Sequence, residues 1–252
     1  FYYTTSDSDT VRILAELAGV KYDLVHNLTT IDAPETVYYV RSVGAEIVTP
    51  PKSMWQLIVE NGMPPTRLVR YCCKALKEGT GAGRVKITGV RRAESVNRAQ
   101  NNDVIKIVGK PKTVQKLAEN AEVKYHLSKK GGLLLSDDSD TNRRFVEDIH
   151  KTVSVNLNPI VDWSESDVWE FLRYHGCESN PLYQCGYNRI GCVGCPMKNT
   201  KGMLADFARY PKYRNLYVMA FDRMIKHRAE RGLPPYKDWR CGEDVIRWWI
   251  GG

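Results

Sequence analysis

N-P-L-Y-Q-C-G-Y-N-R-I-G-C-V-G-C-P-M, residues 180–197, holds three of the seven cysteines: Cys185, Cys192 and Cys195. Glycines follow Cys185 and precede Cys192 and Cys195, and Pro196 closes the run. Thiolates that converge on one metal centre need a backbone that turns sharply. Glycine permits the turns and proline fixes the exit. A Cys-x-x-Cys in such a knuckle is half of a zinc or iron–sulfur site. The other half has to come from elsewhere in the chain, and Arg70-Tyr71-Cys72-Cys73 is the donor on offer.

Outward from that knuckle, the 252 residues are enough for a sizeable core. Hydrophobic content of 42% and charged content of 26% are ordinary for a globular protein. Lys plus Arg exceed Asp plus Glu by 37 − 29 = 8, which favours an anionic partner such as a nucleotide, sulfate or a nucleic-acid backbone. No apolar run approaches the ~18 residues needed to span a bilayer, so no membrane partner is expected. An odd number of cysteines in a chain of this size argues against a disulfide scaffold and for a reducing, cytoplasmic location.

In chain order, a helix capped by Asp9 or Thr10 is expected to carry Val11, Leu14, Ala15 and Ala18 on one face. Tyr22–Leu28 reads as a strand, Pro34 to Ser42 as a helix and Ala45–Val48 as a short strand. Helices follow around Met54–Ile58 and over Thr66–Lys77. Gly79–Gly83 is a loop, Val85–Val90 a strand, and 97–140 is less regular, with strands at Val104–Val108 and Leu133–Leu135 around a turn at Lys129–Gly132. A helix is expected at Asn142–His150. Ser164-Glu165-Ser166-Asp167 is a helix-start signal, Pro211–Arg231 a long helix and Gly242–Ile250 a last short one. The tryptophans read as core, and Cys177 and Cys241 as small buried hydrophobes. Strands alternating with helices imply an α/β fold with a parallel sheet. A boundary near residue 160 divides a nucleotide-binding domain, 1–160, from a cysteine-containing helical subdomain, 161–252.

Ligands of such a sheet sit at the carboxyl ends of its strands. Gly89-Val90-Arg91-Arg92-Ala93-Glu94-Ser95-Val96-Asn97-Arg98 ends a strand in a glycine and then places three arginines and a serine within eight residues. Arginine forks match phosphate or sulfate bidentately, so Arg91, Arg92, Ser95 and Arg98 are candidate anion ligands. A solvated basic turn is the plainer alternative. Arg70, Lys74, Lys77 and the helix around Lys226-His227-Arg228 either face a polyanion or form a solvated surface.

Together, G-V-R-R-A-E-S-V-N-R, R-Y-C-C-K-A-L-K, N-P-I-V-D-W-S-E-S-D-V-W and G-Y-N-R-I-G-C-V-G-C-P resemble the phosphoadenosine phosphosulfate (PAPS) reductase family of the PP-loop ATP pyrophosphatase superfamily. The resemblance implies a Rossmann-like, adenine nucleotide alpha hydrolase-like fold. The family's phosphate loop, S-G-G-x-D-S, is matched only in Asp7-Ser8, because Tyr3-Thr4-Thr5-Ser6 stand where Ser-Gly-Gly-x belongs. The expectation is that residues around this loop have been lost. By resemblance, Asp7 and Ser8 would hold pyrophosphate and its Mg²⁺. Thr29–Thr36 matches a second motif bordering the nucleotide, making Thr30 and Asp32 nucleotide-facing. Asp32 and Glu35 read equally well as helix-capping acids.

The cysteines divide the branches. Adenylylsulfate reductases pair Cys-Cys with a distant Cys-x-x-Cys around a 4Fe-4S cluster, here Cys72, Cys73, Cys192 and Cys195. The ATP pyrophosphatases of DNA phosphorothioation (DndC-like) carry Cys-x6-Cys-x2-Cys after an Arg-aromatic-Cys. Here that set is Cys72, Cys185, Cys192 and Cys195, with Cys73 as rival fourth ligand. Glu94-Ser95 resembles this second branch, and Cys241-Gly242-Glu243 is a poor match to the reductases' catalytic cysteine tail. The second set is therefore preferred, holding a 4Fe-4S cluster with zinc as the alternative. The expected activity is ATP pyrophosphatase chemistry in sulfur transfer, with Arg91 and Arg92 catalytic beside Asp7 and Ser8. DNA is the first acceptor to consider, and a cysteine desulfurase or other sulfur-relay protein the implied partner. Release of sulfite from a sulfonucleotide, and a non-catalytic nucleotide- or nucleic-acid-binding module, are the alternatives.

Overall fold

The structure, a computed structural model, describes residues 5–77 and 83–251. Tyr3 and Thr4 of the phosphate-loop match, and most of the Gly79–Gly83 loop, lie outside the described residues. The helices are α1 (Ser6–Leu17), α2 (Pro34–Ser42), α3 (Met54–Asn61), α4 (Tyr71–Leu76), α5 (Val96–Ala99), α6 (Pro111–Asn120), α7 (Asp140–Ile149), α8 (Glu165–Tyr174), α9 (Thr200–Arg209), α10 (Pro211–Glu230) and α11 (Gly242–Gly251). The strands are β1 (Val25–Asn27), β2 (Glu46–Val48), β3 (Val85–Ile87), β4 (Ile105–Val108), β5 (His126–Leu127), β6 (Leu133–Leu135) and β7 (Ser154–Leu157). Among the described residues no helix is long and apolar enough to cross a membrane.

The chain forms two compact units from interleaved segments. One comprises Phe1–His26, Ser42–Glu46 and Gly81–Asn188; the other comprises Asn27–Arg41, Ile47–Thr80 and Arg189–Gly252. Residues 161–188 thus fall in the first unit and residues 47–80 in the second.

The first unit is an α/β layer around a five-stranded sheet of order β3-β7-β4-β6-β5. Only β3 and β7 run parallel; β4 is antiparallel to β7 and β6, and β5 to β6. The sheet is therefore mixed, where an all-parallel one was expected. The cause is local. Ser128 N–H donates to Gly132 O at 2.8 Å and Gly131, at φ 78, turns the chain, which closes a tight hairpin between β5 and β6. Ile105, Ile107, Leu133, Leu135 and Val155 share one face and pack on Val114 and Ala118 of α6 and Phe145 and Ile149 of α7. Val11 and Ile13 of α1 pack on Val168 and Leu172 of α8. α1 starts a turn earlier than expected: Thr10 donates its hydroxyl back to Ser6 O at 3.0 Å, as an interior residue does, and Thr5 is the N-cap. Ser164 caps α8 through a reciprocal bond pair with Asp167, as its sequence predicts.

The second unit is built on α10, whose Tyr217, Ala220, Phe221 and Met224 are buried. It packs against α3 and α11. Trp55 meets Tyr217 edge-on at 4.9 Å, and Trp249 donates to Pro65 O at 2.6 Å. Pro64, Pro65 and the non-helical run to Arg70 shorten the helix expected over Thr66–Lys77 to α4. Cys241 is exposed rather than buried.

Gly242 opens α11 against the backbone of α10. A Cβ there would lie 2.2 Å from Val218 O, and backbone cannot swing aside as a side chain can. Gly242→Ala is expected to destabilise the fold by about 2–3 kcal/mol, measured by urea unfolding. A change within experimental error would mean that α10 and α11 separate freely.

Candidate functional site

In the first unit, β3 runs out through Thr88 to Gly89, where a Cβ would lie 2.7 Å from Asp7 Cβ. Only glycine lets the strand end approach the start of α1 this closely. Two residues on, the buried Arg91 donates Nε to Asp7 Oδ1 at 2.7 Å. Arg91 makes no further side-chain hydrogen bond among the described residues, and its charge also reaches Asp167. Burial pushes the Asp7 carboxyl up; the charge and hydrogen bond of Arg91 pull it down, Glu94 raises it and Arg98 lowers it, and the net direction is upward. Arg98 pairs with Glu94 at 2.9 Å, and Glu94 also accepts the Arg91 N–H at 3.3 Å. Two arginines and two carboxylates thus share this corner.

Arg92 is differently placed. Its two terminal nitrogens are bound by Asp103 and Asp162. Asp103 in turn accepts Ser136 Oγ at 3.0 Å and faces His126 Nε2 at 3.2 Å. Arg92 therefore clamps the 3-10 turn Arg92–Glu94 to the sheet. Ser95 is exposed and caps α5 by accepting the Arg98 N–H at 3.2 Å. Ser8 is buried, 3.5 Å from the Thr5 hydroxyl. Sequence reasoning missed Tyr183, whose hydroxyl accepts the Ser6 N–H at 3.1 Å and lies 3.2 Å from Ser6 Oγ. It stood in plain view as the last residue of Asn180-Pro181-Leu182-Tyr183.

In the second unit, Thr29–Glu35 is tied to the cysteine loop. Val193 N–H donates to Ile31 O at 2.8 Å, and Cys192 Sγ lies 3.5 Å from Thr29 Oγ1. Asp32 is buried and accepts the Thr29 N–H at 2.6 Å, while Thr30, at φ 64, accepts the Met54 N–H at 2.9 Å. Asp32 and Thr30 thus hold this turn and the start of α3. Glu35 binds Arg209 at 2.8 Å and the Tyr210 hydroxyl at 2.9 Å.

Cys72, Cys73, Cys192 and Cys195 interact in this unit. A hydrogen bond with Cys73, then burial, then the charges of Cys73, Cys192 and Cys195 push the Cys72 thiol up. Burial, then Cys192, does the same to Cys195. Lys77 is held protonated, first by Cys192, with burial opposing and Asp32 and Cys195 adding. Four cysteine sulfurs are a donor set whose thiolate charge a soft cation would offset, and their chemistry fits a zinc or iron–sulfur centre. Among the described residues no group of three or more His, Cys, Asp or Glu is arranged to hold a metal ion as it stands. Cys185 is exposed and belongs to the first unit, where its N–H closes a turn on Leu182 O at 3.1 Å.

A family model described as "Phosphoadenosine phosphosulfate reductase domain" matches residues 4–198. An adenosine 5'-phosphosulfate reductase of Allochromatium vinosum is 48% identical over 46 residues, 18% of this chain and 18% of that one. An uncharacterised protein of Methanocaldococcus jannaschii is 24% identical over 229 residues, 86% of this chain and 46% of that one. The matched stretches span less than half the length of these relatives. The phosphate complex of a phosphoadenylyl-sulfate reductase from Candida auris aligns over 77% of this chain and 81% of that one, at 17% identity and a TM-score of 0.42. That likeness is too loose to bear on the site.

Burial alone would raise the Glu35 carboxyl, but hydrogen bonds from Arg209 and Tyr210 and the Arg209 charge outweigh it and hold it below its ordinary 4.5. Its stabilising share is therefore present above pH 4.5 and is lost as pH falls through the lowered folded value. Arg209→Ala should flatten that part of the stability–pH curve, read from urea unfolding between pH 3 and 6. An unaltered curve would mean that Arg209 does not hold Glu35.

Proposed function

From its place in the phosphoadenosine phosphosulfate reductase domain family, to which this chain belongs, we propose that it acts on an adenine nucleotide carrying sulfate. Arg91 would present its Nη nitrogens to the sulfate or phosphate oxygens, with Asp7 orienting the guanidinium from the Nε side and Arg98 adding charge. The observation that carries this reading is that Cys72 and Cys73 of α4 lie in the same compact unit as Cys192, which faces Thr29, and Cys195. This is the Cys-Cys and Cys-x-x-Cys set that the family resemblance attaches to adenylylsulfate reductases. The four residues would hold a 4Fe-4S cluster, with zinc as the alternative, and such a centre would supply a buried compensating charge. Release of sulfite from an adenylylated sulfate leaves AMP and consumes two electrons, which a dithiol can deliver. A reducing, cytoplasmic setting suits seven cysteines of which all the described ones are free.

A second reading, ATP pyrophosphatase chemistry in sulfur transfer to DNA or another acceptor, draws support from one feature. Asp7 and Glu94 are neighbouring carboxylates between two arginines. Such a pair suits Mg²⁺-pyrophosphate better than a sulfate alone.

Two measurements separate these readings. The protein purified without oxygen is given adenylylsulfate or PAPS with a dithiol, and separately ATP, Mg²⁺ and DNA. Sulfite is the expected product; pyrophosphate without sulfite would reverse the preference, and neither product would favour a binding module. Bound iron and zinc are then counted per chain. Cys73→Ala should lose the metal and Cys185→Ala should keep it; the opposite pattern would restore the set containing Cys185.

A further inference from the structure

The register of the first unit's sheet puts one chemically distinct row on the face opposite its apolar core. Lys86 stands opposite Asn156, Asn156 opposite Lys106, Lys106 opposite Leu134 and Leu134 opposite His126. Directly opposed residues share a face, and their neighbours Ile105, Ile107, Leu133, Leu135 and Val155 occupy the other one. Leu134 in this row is buried, while Lys86, Asn156 and Lys106 are partly accessible; a half-exposed sheet face needs polar residues, but it does not need them to be cationic and unpaired.

These lysines are unpaired. Lys86 and Asn156 make no side-chain hydrogen bond or ion pair among the described residues, and both are partly accessible. The Lys106 ammonium donates to Asn102 Oδ1 at 3.3 Å, an uncharged partner. Lys130, exposed on the hairpin turn between β5 and β6, adds like charge: burial first, then Lys130, pushes the Lys106 ammonium down. Asp103, whose carboxylate reaches His126 of this row, is taken up by Arg92, His126 and Ser136. Lysines without counter-charges on a firm sheet repel one another and are relieved by an anion.

The geometry points to this row, Lys86, Asn156 and Lys106 with Lys130 beside it, as a contact surface for the phosphodiester backbone of a nucleic acid. Lys86 and Lys106 are two strand spacings apart, about 10 Å. Phosphates recur every ~3.4 Å of axis along a nucleic-acid strand, so one strand crossing the row passes several charges under both lysines. No Phe, Tyr or Trp stands in the row, and contacts from lysines to phosphates carry no sequence information, so binding is independent of sequence. The surface uses none of the side chains of the Arg91 corner and does not depend on which reaction occurs there.

The full-length chain is titrated into fluorescently labelled single-stranded and duplex oligonucleotides over a series of salt concentrations. Replacing Lys86, Lys106 and Lys130 together with Ala should lower the slope of log K against log salt by about 2–3 and weaken low-salt binding at least about tenfold. The triple Arg replacement should keep the slope. Circular dichroism melts confirm that each variant folds, and if the alanine triple does not, Lys86→Ala alone should still reduce the slope by about 1. An unchanged slope overturns the assignment. Equal loss in the arginine variant does so too, because it would trace the effect to packing. Binding of inorganic pyrophosphate at these lysines without any oligonucleotide binding overturns the choice of partner.

Discussion

The Asp206 carboxylate lies almost wholly out of solvent beneath the cysteine loop, and the arrangement of thiols depends on it. It accepts the Gly194 N–H at 2.8 Å and the Lys198 ammonium at 2.6 and 2.7 Å. A buried carboxylate is tolerable only when paired and hydrogen-bonded, and here both conditions are met by the loop it supports. Gly194 is held at φ 67 with the Phe207 ring so close that a Cβ would meet it at 2.6 Å. One residue earlier, Val193 donates its N–H to Ile31 and accepts from the Tyr217 hydroxyl at 3.0 Å. Cys192 and Cys195 therefore project from a backbone fixed on both sides of Gly194. The burial that raises Cys195 follows from this anchoring, and so does its approach to Cys192.

The legible part of the chain was the part with strong local signals. Pro34 started α2, Ser164 with Asp167 started α8, and Pro211 began α10, because each signal satisfies helix-end backbone groups on its own. The apolar stripe of α10 was also readable, except that Leu216 stands 41% exposed. Five elements escaped: β5, β7, α5, α6 and α9. β7 is only four residues, Ser154–Leu157, and its alternation is too short to distinguish from a loop. α6 offers few apolar positions, and α9 follows the cysteine loop without a break in composition. Sheet direction was misjudged because alternating strands and helices suggest crossovers, whereas the β5–β6 connection is a hairpin held by the Ser128 and Gly132 backbones.

The site was legible as a set of residues more than as a set of roles. Asp32 and Glu35 could have faced a ligand or capped a helix, and sequence held both open. The structure gives them internal partners: the Thr29 N–H for one, and Arg209 with Tyr210 for the other. Lys77 read as one more surface cation, yet its ammonium faces Cys192. Asp206 carried no signal at all, and Tyr217 was legible as buried but not as a donor to Val193 O, because a buried carboxylate and a buried phenol acquire their partners from residues distant in sequence.

Arg91 and Arg92 show why counting basic residues overstates an anion site. Arg91 is extended, at φ −121 and ψ 141, and Arg92 begins a 3-10 turn whose N–H binds Val161 O at 2.7 Å. That change of backbone sends adjacent side chains in different directions. One reaches a single carboxylate through Nε; the other is consumed by two carboxylates. A guanidinium between two acids is electrostatically spent, so an anion gains little by approaching it. Lysines with no ion-pair partner among the described residues are in the opposite position, and Lys86 and Lys106 are such lysines. The formal charge of +8 is thus unevenly available: clamped at Arg92, directed at Arg91, and uncompensated at Lys86 and Lys106.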